Sequence, residues 1–262
     1  MGQIKFISFP ALLFFYIIPH FSHFVKGFQK GMTVLRRLIV LILTAALLGT
    51  CPCQASPAPK YAALTFDDGP SGRFTQRLLD GLQARDVHAT FFLCGYRLED
   101  FADLAEQIHR QGHEIGLHGY SHTSMAELSA SALRQELEDT LALLPENCPV
   151  HLLRPPGGID APQVETVCRD MGLSVISWSV DPMDWNTRNT ESIETAVMEQ
   201  IHDGAVILMH DMYDSSVDAA LELIDRLQAQ GYRFVTVSQL ARLRHCPLEP
   251  GQVYRRFPPE EL

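Results

Sequence analysis

From Lys60 onward, short apolar runs alternate with longer amphipathic stretches. Tyr61–Phe66, His88–Leu93, Glu114–Leu117, His151–Leu153, Ser174–Val180, Ala205–Met209 and Arg233–Val237 read as strands by length and composition. Between them the spacing turns helical. Over Asp100–Gly112, Phe101, Leu104, Ala105 and Ile108 share a face, and Gly112 marks the stop. Over Glu127–Leu144, the leucines at 137, 141 and 144 continue a stripe that includes Leu128 and Leu133. Over Ser216–Gln230, Val217, Leu221, Ile224 and Leu227 do the same, and Gly231 ends the helix. Such stripes are core faces. Repeated strand–helix units predict parallel strands with helices outside. Seven strands in about 180 residues fall short of a standard eightfold barrel of ~250 residues. A reduced barrel or an open doubly wound sheet fits. The tail after Cys246, with Pro247, Pro250, Pro258 and Pro259, reads as irregular.

Composition narrows the class. The 262 residues are 46% hydrophobic and 20% charged, which excludes wholesale disorder and collagen-like repeats. The formal charge of −10 is uneven. Residues 1–55 hold Lys5, Lys26, Lys30, Arg36 and Arg37 and no acid, so the rest carries 16 basic residues against 31 acids. A body that acidic repels a phosphate backbone, and no nucleic-acid partner is expected.

The chain divides into an N-terminal segment, 1–55, and a body, 56–262. Phe6–Ile18 is an apolar stretch broken by Pro10. A second stretch starts at Met32 with Arg36 and Arg37, runs through Leu38–Gly49, and exits through small residues to Ala55. Basic start, apolar run and small-residue exit match a secretory signal, with Met32 as its start, and predict an exported protein of the cell envelope or exterior. The competing reading joins both stretches into a membrane anchor, the only membrane contact expected. Cys94, Cys148, Cys168 and Cys246 remain in the body. An exported protein permits disulfides among them, and buried free thiols are the alternative.

Polar residues gather where strands end, the ligand end of parallel α/β folds. The first strand runs into Asp67-Asp68-Gly69-Pro70, where two adjacent carboxylates call for a cation or for use of one as a base. Asp-Gly-Pro is also ordinary turn chemistry. The third strand runs into His118-Gly119-Tyr120-Ser121-His122. With one carboxylate, two histidines make a three-ligand set that leaves a metal position open. Arg154-Pro155-Pro156-Gly157-Gly158 follows the fourth strand, and Arg154 there could fix a carboxylate in its ionised form. Asp181 and Asp184-Trp185 follow the fifth, and His210-Asp211 ends the sixth.

These five clusters, in this order, resemble the polysaccharide deacetylase family, the NodB-homology domain of carbohydrate esterase family 4. The resemblance covers roughly residues 60–243. Two positions depart from the family pattern: Gly119 stands where Ser or Thr is usual, and Gly157 stands for Tyr. The resemblance implies a distorted (β/α) barrel with about seven parallel strands. It implies a divalent metal, Zn²⁺ first, held by Asp68, His118 and His122. Asp67 would be the general base and Arg154 would hold it. The backbone N–H of Gly157 would face the oxyanion, His210 would protonate the leaving amine, and Asp181 or Asp184 would partner His210. Face alternation along the strand favours Asp181, while a loop can aim Asp184 inward. Trp185 would stack on a sugar, and Leu208 would line the acetyl pocket. The implied reaction is removal of acetyl from N-acetylated amino sugars, with peptidoglycan N-acetylglucosamine first and chitin-type oligomers second. A non-catalytic glycan-binding protein on the same barrel and a hydrolase of small non-sugar amides are the rivals.

Overall fold

The computed structural model describes residues 32–33, 35–37, 58–158 and 161–259. The chain divides into two units, 1–57 and 58–262. In the first unit, the described residues are helical. The expected signal run and its exit at Ala55 lie outside the described residues. Among the described residues no helix is long and apolar enough to cross a membrane.

The second unit is an α/β distorted barrel. Its strands are β1 (Lys60–Gly69), β2 (Thr90–Leu93), β3 (Glu114–Leu117), β4 (Leu152–Leu153), β5 (Ser174–Ile176), β6 (Ala205–His210), β7 (Tyr232–Phe234) and β8 (Val253–Tyr254). They are hydrogen-bonded in the order β6-β1-β2-β3-β4-β5-β8, and β7 pairs with the first residues of β1. All these pairings are parallel. The helices are α1 (Arg73–Ala84), α2 (Gly95–Arg110), α3 (Ala130–Leu141), α4 (Pro162–Met171), α5 (Asp184–Thr187), α6 (Thr190–Gln200), α7 (Asp214–Ala229) and α8 (Val237–Leu243).

Period-two alternation sorts every strand into two faces. Ala62, Leu64 and Phe66 of β1, Phe91 and Leu93 of β2, and Ala205, Ile207 and Met209 of β6 pack outward with apolar residues of α1, α2 and α7. Leu153 and Val175 pack outward with α3 and α4. Ala63, Phe92, Leu152, Ile176 and Val206 point the other way and meet in the barrel interior. Val237, Leu240 and Ala241 of α8, with Phe257, close the interior from below. The same alternation carries Asp67 and His210 inward at the opposite end.

Three expectations are corrected. The tail is not wholly irregular. Val253 and Tyr254 pair with Val175 and Ile176, and Arg256 bridges Ala205. The tail therefore fills the seam between β5 and β6. Gly204 makes this possible, because a Cβ there would lie 1.8 Å from the Phe257 carbonyl oxygen. The fifth strand is also shorter than Ser174–Val180. It stops at Ile176, and Val180 instead bridges Ile207 of β6. The helix expected over Glu127–Leu144 is trimmed to α3, because the Ser129 side chain accepts the Ala132 N–H and caps its start.

Candidate active site

The register of β1 against β6 places Asp67 beside His210. Between Asp67 and Gly69 the pairing with β2 slips, and Asp68 takes φ 70°. A bulge of this kind re-aims one side chain, so adjacent carboxylates serve different partners. Asp67 Oδ1 accepts from Arg154 Nη1 at 2.7 Å. Asp68 Oδ1 lies 3.2 Å from His118 Nε2 and 3.0 Å from His122 Nε2.

Arg154 is 0% exposed. A buried guanidinium needs its charge matched and its donors filled. Besides Asp67, Nη1 donates to Thr65 Oγ1 at 2.8 Å, Nε to the Ile176 carbonyl at 3.1 Å and Nη2 to the Ser177 carbonyl at 3.1 Å. The cation also sits 4.2 Å from the Phe92 ring centroid. These contacts fix Arg154, and through it Asp67, in one geometry. They leave Asp67 Oδ2 outside the ion pair, 3.8 Å from His118 Nε2.

The first ligand question is whether Asp68, His118 and His122 suit a metal. Their ligand atoms all lie within 4.8 Å of one another. His118 Nδ1 lies 2.6 Å from the Arg154 carbonyl oxygen. A carbonyl only accepts, so Nδ1 carries a proton, and in the tautomer a metal ligand requires, Nε2 offers its lone pair toward Asp68. Asp68 Oδ1 is buried and has no hydrogen-bond donor. Lone pairs converging on one buried anionic oxygen require a cation between them, so the residues fit a divalent metal. His122 reaches the trio with φ 60° and Gly119 turns the chain with φ 81°. Glycine at 119 suits that left-handed turn better than Ser or Thr would.

The partner of His210 is Asp184, which corrects the preference that face alternation gave Asp181. His210 Nδ1 lies 2.8 Å from Asp184 Oδ1, and its backbone N–H donates to Asp184 Oδ2 at 2.8 Å. Ser216 Oγ donates to the same Oδ2 at 2.7 Å. The strand ends at Ile176, so its alternation does not reach these residues, and α5 turns Asp184 inward to complete burial. Asp181 stays on the cleft, where its Oδ1 accepts the Met183 N–H at 2.8 Å. Burial lowers the His210 pKa, but the Asp184 hydrogen bond and charge outweigh it and push the ring up to about 9.

Asp67, Asp68, His118, His122 and His210 open onto one cleft of about 500 Å³. Gly157, Trp178, Asp181, Trp185, Arg188, Leu208 and Tyr213 complete its walls. Gly157 adopts φ 68° within the turn after β4. Trp185 is 48% exposed at the rim. Thr65, Ser216, Arg188 and Tyr213 were not singled out from the sequence. Thr65 could have been found, because it shares the inward face of β1 with Asp67. Ser216 could not, since its partner lies on another element. The four cysteines among the described residues are free.

The polysaccharide deacetylase sequence profile matches residues 54–176. The peptidoglycan-N-acetylmuramic acid deacetylase PdaC of Bacillus subtilis is 39% identical over 191 residues, covering 72% of this chain and 40% of that protein. A peptidoglycan-N-acetylglucosamine deacetylase of Bacillus cereus is 35% identical over 192 residues, covering 71% of this chain and 90% of the relative. Among solved structures, a family 4 acetyl xylan esterase of Clostridium thermocellum bound to a cobalt ion superposes with a TM-score of 0.71 at 31% identity, covering 76% of this chain and all of that one. With that identity across nearly the whole length of the Bacillus cereus relative, the chain belongs to the polysaccharide deacetylase family.

Proposed function

We propose that this chain is a zinc-dependent hydrolase that removes N-acetyl groups from amino-sugar polymers, with peptidoglycan N-acetylglucosamine as its substrate and chitin-type oligomers as the second candidate. One observation carries the reading. Asp67 and His210 stand side by side across β1 and β6, at the mouth of a cleft that also holds Asp68, His118 and His122.

Asp68, His118 and His122 would hold the metal, which when bound supplies Lewis acidity and acidified water at neutral pH. Asp67 acts as general base through Oδ2, because Arg154 occupies Oδ1. His210 points its Nε2 at the departing nitrogen, because Asp184 holds Nδ1. A pKa of about 9 keeps that ring protonated at neutral pH, as a general acid requires. Water adds to the acetamide carbon, Asp67 takes its proton, and the C–N bond breaks as His210 protonates nitrogen. Acetate and a free amine leave. The Gly157 N–H would face the developing oxyanion, Leu208 the acetyl methyl and Trp185 a sugar face.

His122→Ala should lower zinc content, read by elemental analysis of dialysed protein, and abolish acetate release from N-acetylglucosamine oligomers. Full zinc occupancy in that variant would defeat the ligand assignment. A glycan binder without chemistry would bind oligomers and release no acetate even when metal-loaded.

The same proposal places the enzyme outside the cytoplasm. Its support is the basic start at Met32, the apolar run and the small residues up to Ala55. N-terminal sequencing of protein from its native envelope should begin near Ser56, and an intact segment upstream would favour an anchor.

A further inference from the structure

We infer that Arg188 is a specificity-determining residue that reads a carboxylate on the glycan, so that the cleft selects acid-bearing amino-sugar strands over neutral ones. The inference rests on the deacetylase reading above. Arg188 lines the same cleft as Asp67, Asp68, His118, His122 and His210. Its guanidinium lies 4.1 Å from the Tyr213 ring centroid, and Nη2 donates to the Tyr213 hydroxyl at 3.1 Å. Nε reaches the Trp185 carbonyl at 3.5 Å.

All of these partners are neutral. Arg73, Arg77, Arg85, Arg134, Arg154, Arg226 and Arg244 each sit within salt-bridge distance of an Asp or Glu. Arg188 has no such partner among the described residues; Arg97, Arg110, Arg169, Arg233, Arg242 and Arg256 share that lack, but none of them lines the cleft. Asp181, on the same cleft, accepts the Met183 N–H instead. The Nη1 edge of Arg188 has no hydrogen bond within the described residues, so the planar fork keeps donors for an incoming anion.

The backbone adds a second argument. Arg188 ends α5 with φ 48°, ψ 33°, a left-handed conformation that favours Gly or Asn. An arginine placed there carries a conformational cost that a purely structural helix end would avoid. Stacking on Tyr213 then holds the cation in place before substrate arrives, which reduces the ordering cost of binding. Repulsion from the catalytic acids is limited, since Asp67 is neutralised by Arg154 and Asp68 faces the metal position.

The carboxylate could belong to a lactyl ether on the sugar or to an attached peptide. The test compares wild type, Arg188→Gln and Arg188→Lys on four oligomers. These are N-acetylglucosamine tetramer, an alternating N-acetylglucosamine/N-acetylmuramic acid tetrasaccharide, its lactyl methylamide, and the same strand bearing stem peptides. Arg188→Gln should lower the acid-to-neutral ratio of kcat/KM about tenfold, mainly through KM. Arg188→Lys should fall between, because it keeps the charge and loses the fork. In wild type, KM for the acidic oligomer should rise with added salt. Preference for the free lactyl strand over its methylamide assigns the lactyl group, whereas a response confined to the stem-bearing strand assigns the peptide. Equal losses on acidic and neutral oligomers, or no change in the ratio, would overturn the inference and leave Arg188 as a clamp on Tyr213. Affinities for the same oligomers are measured by calorimetry beside turnover. An absence of acetate release from every oligomer would sink the deacetylase reading, while the affinity ratio of Arg188→Gln would still decide the role of Arg188.

Discussion

Asp67→Asn should lower kcat for N-acetylglucosamine oligomers by about 10²–10⁴-fold with little change in bound zinc. Asn keeps the shape of the side chain and loses the basic oxygen that accepts the water proton. Asp67 is 3% exposed and ion-paired to a fully buried arginine. Removing its charge therefore also leaves Arg154 without its counter-ion, and breaking such a buried pair costs about 3–5 kcal/mol of stability. The variant should melt at lower temperature as well as turn over slowly. The two effects separate because zinc content and folded-state spectra are read below the melt. Wild-type turnover in a folded, metal-loaded Asp67→Asn protein would remove Asp67 from the mechanism.

The His210–Asp184 pair carries the second large effect. His210→Ala should cost about 10²–10⁴-fold on the amide, because an amine leaves poorly unless protonated. An aryl acetate ester has a leaving group that needs little protonation, so the same variant should keep much more of its activity on that substrate. Asp67→Asn should fail on both. Asp184→Asn gives the pH signature. In wild type, activity should fall as pH rises through about 9, where His210 loses its proton. Without the Asp184 charge the ring returns toward its ordinary 6.5, and the basic limb of the profile moves down with it. Equal losses for His210→Ala on amide and ester, or an unmoved basic limb in Asp184→Asn, would show that His210 positions rather than protonates.

The barrel was legible because its inner strands are short apolar runs bounded by polar residues, and seven of the observed strands fall within or overlap the runs read from the sequence. The missed strand, Val253–Tyr254, is two residues long and lies in a proline-rich tail. Nothing local separates it from coil; its place comes from the open seam between β5 and β6. Four of the five polar clusters were legible for the same reason as the strands, since each ends or directly follows one, while Asp181 and Asp184 lie beyond the break after Ile176. What could not be read was how loops bend. The sequence left both Asp181 and Asp184 open as the partner of His210, and the strand alternation that favoured Asp181 pointed away from the residue that fills the role. The choice is made by a break after Ile176 and a four-residue helix at Asp184. The left-handed backbones of Asp68 and His122, which aim both at one point, likewise follow from the surrounding fold and not from their own residue types. The closeness of Arg188 to Tyr213, 25 residues apart in sequence, is a tertiary fact of the same kind.

Acetate release from N-acetylglucosamine oligomers by the purified full chain, stripped with chelator and then reloaded with zinc, tests the central claim most directly. The loaded protein should release acetate and free amine in equal amounts, the stripped protein should release neither, and zinc should restore both. Tight glycan binding without acetate release from the zinc-loaded protein would contradict the account.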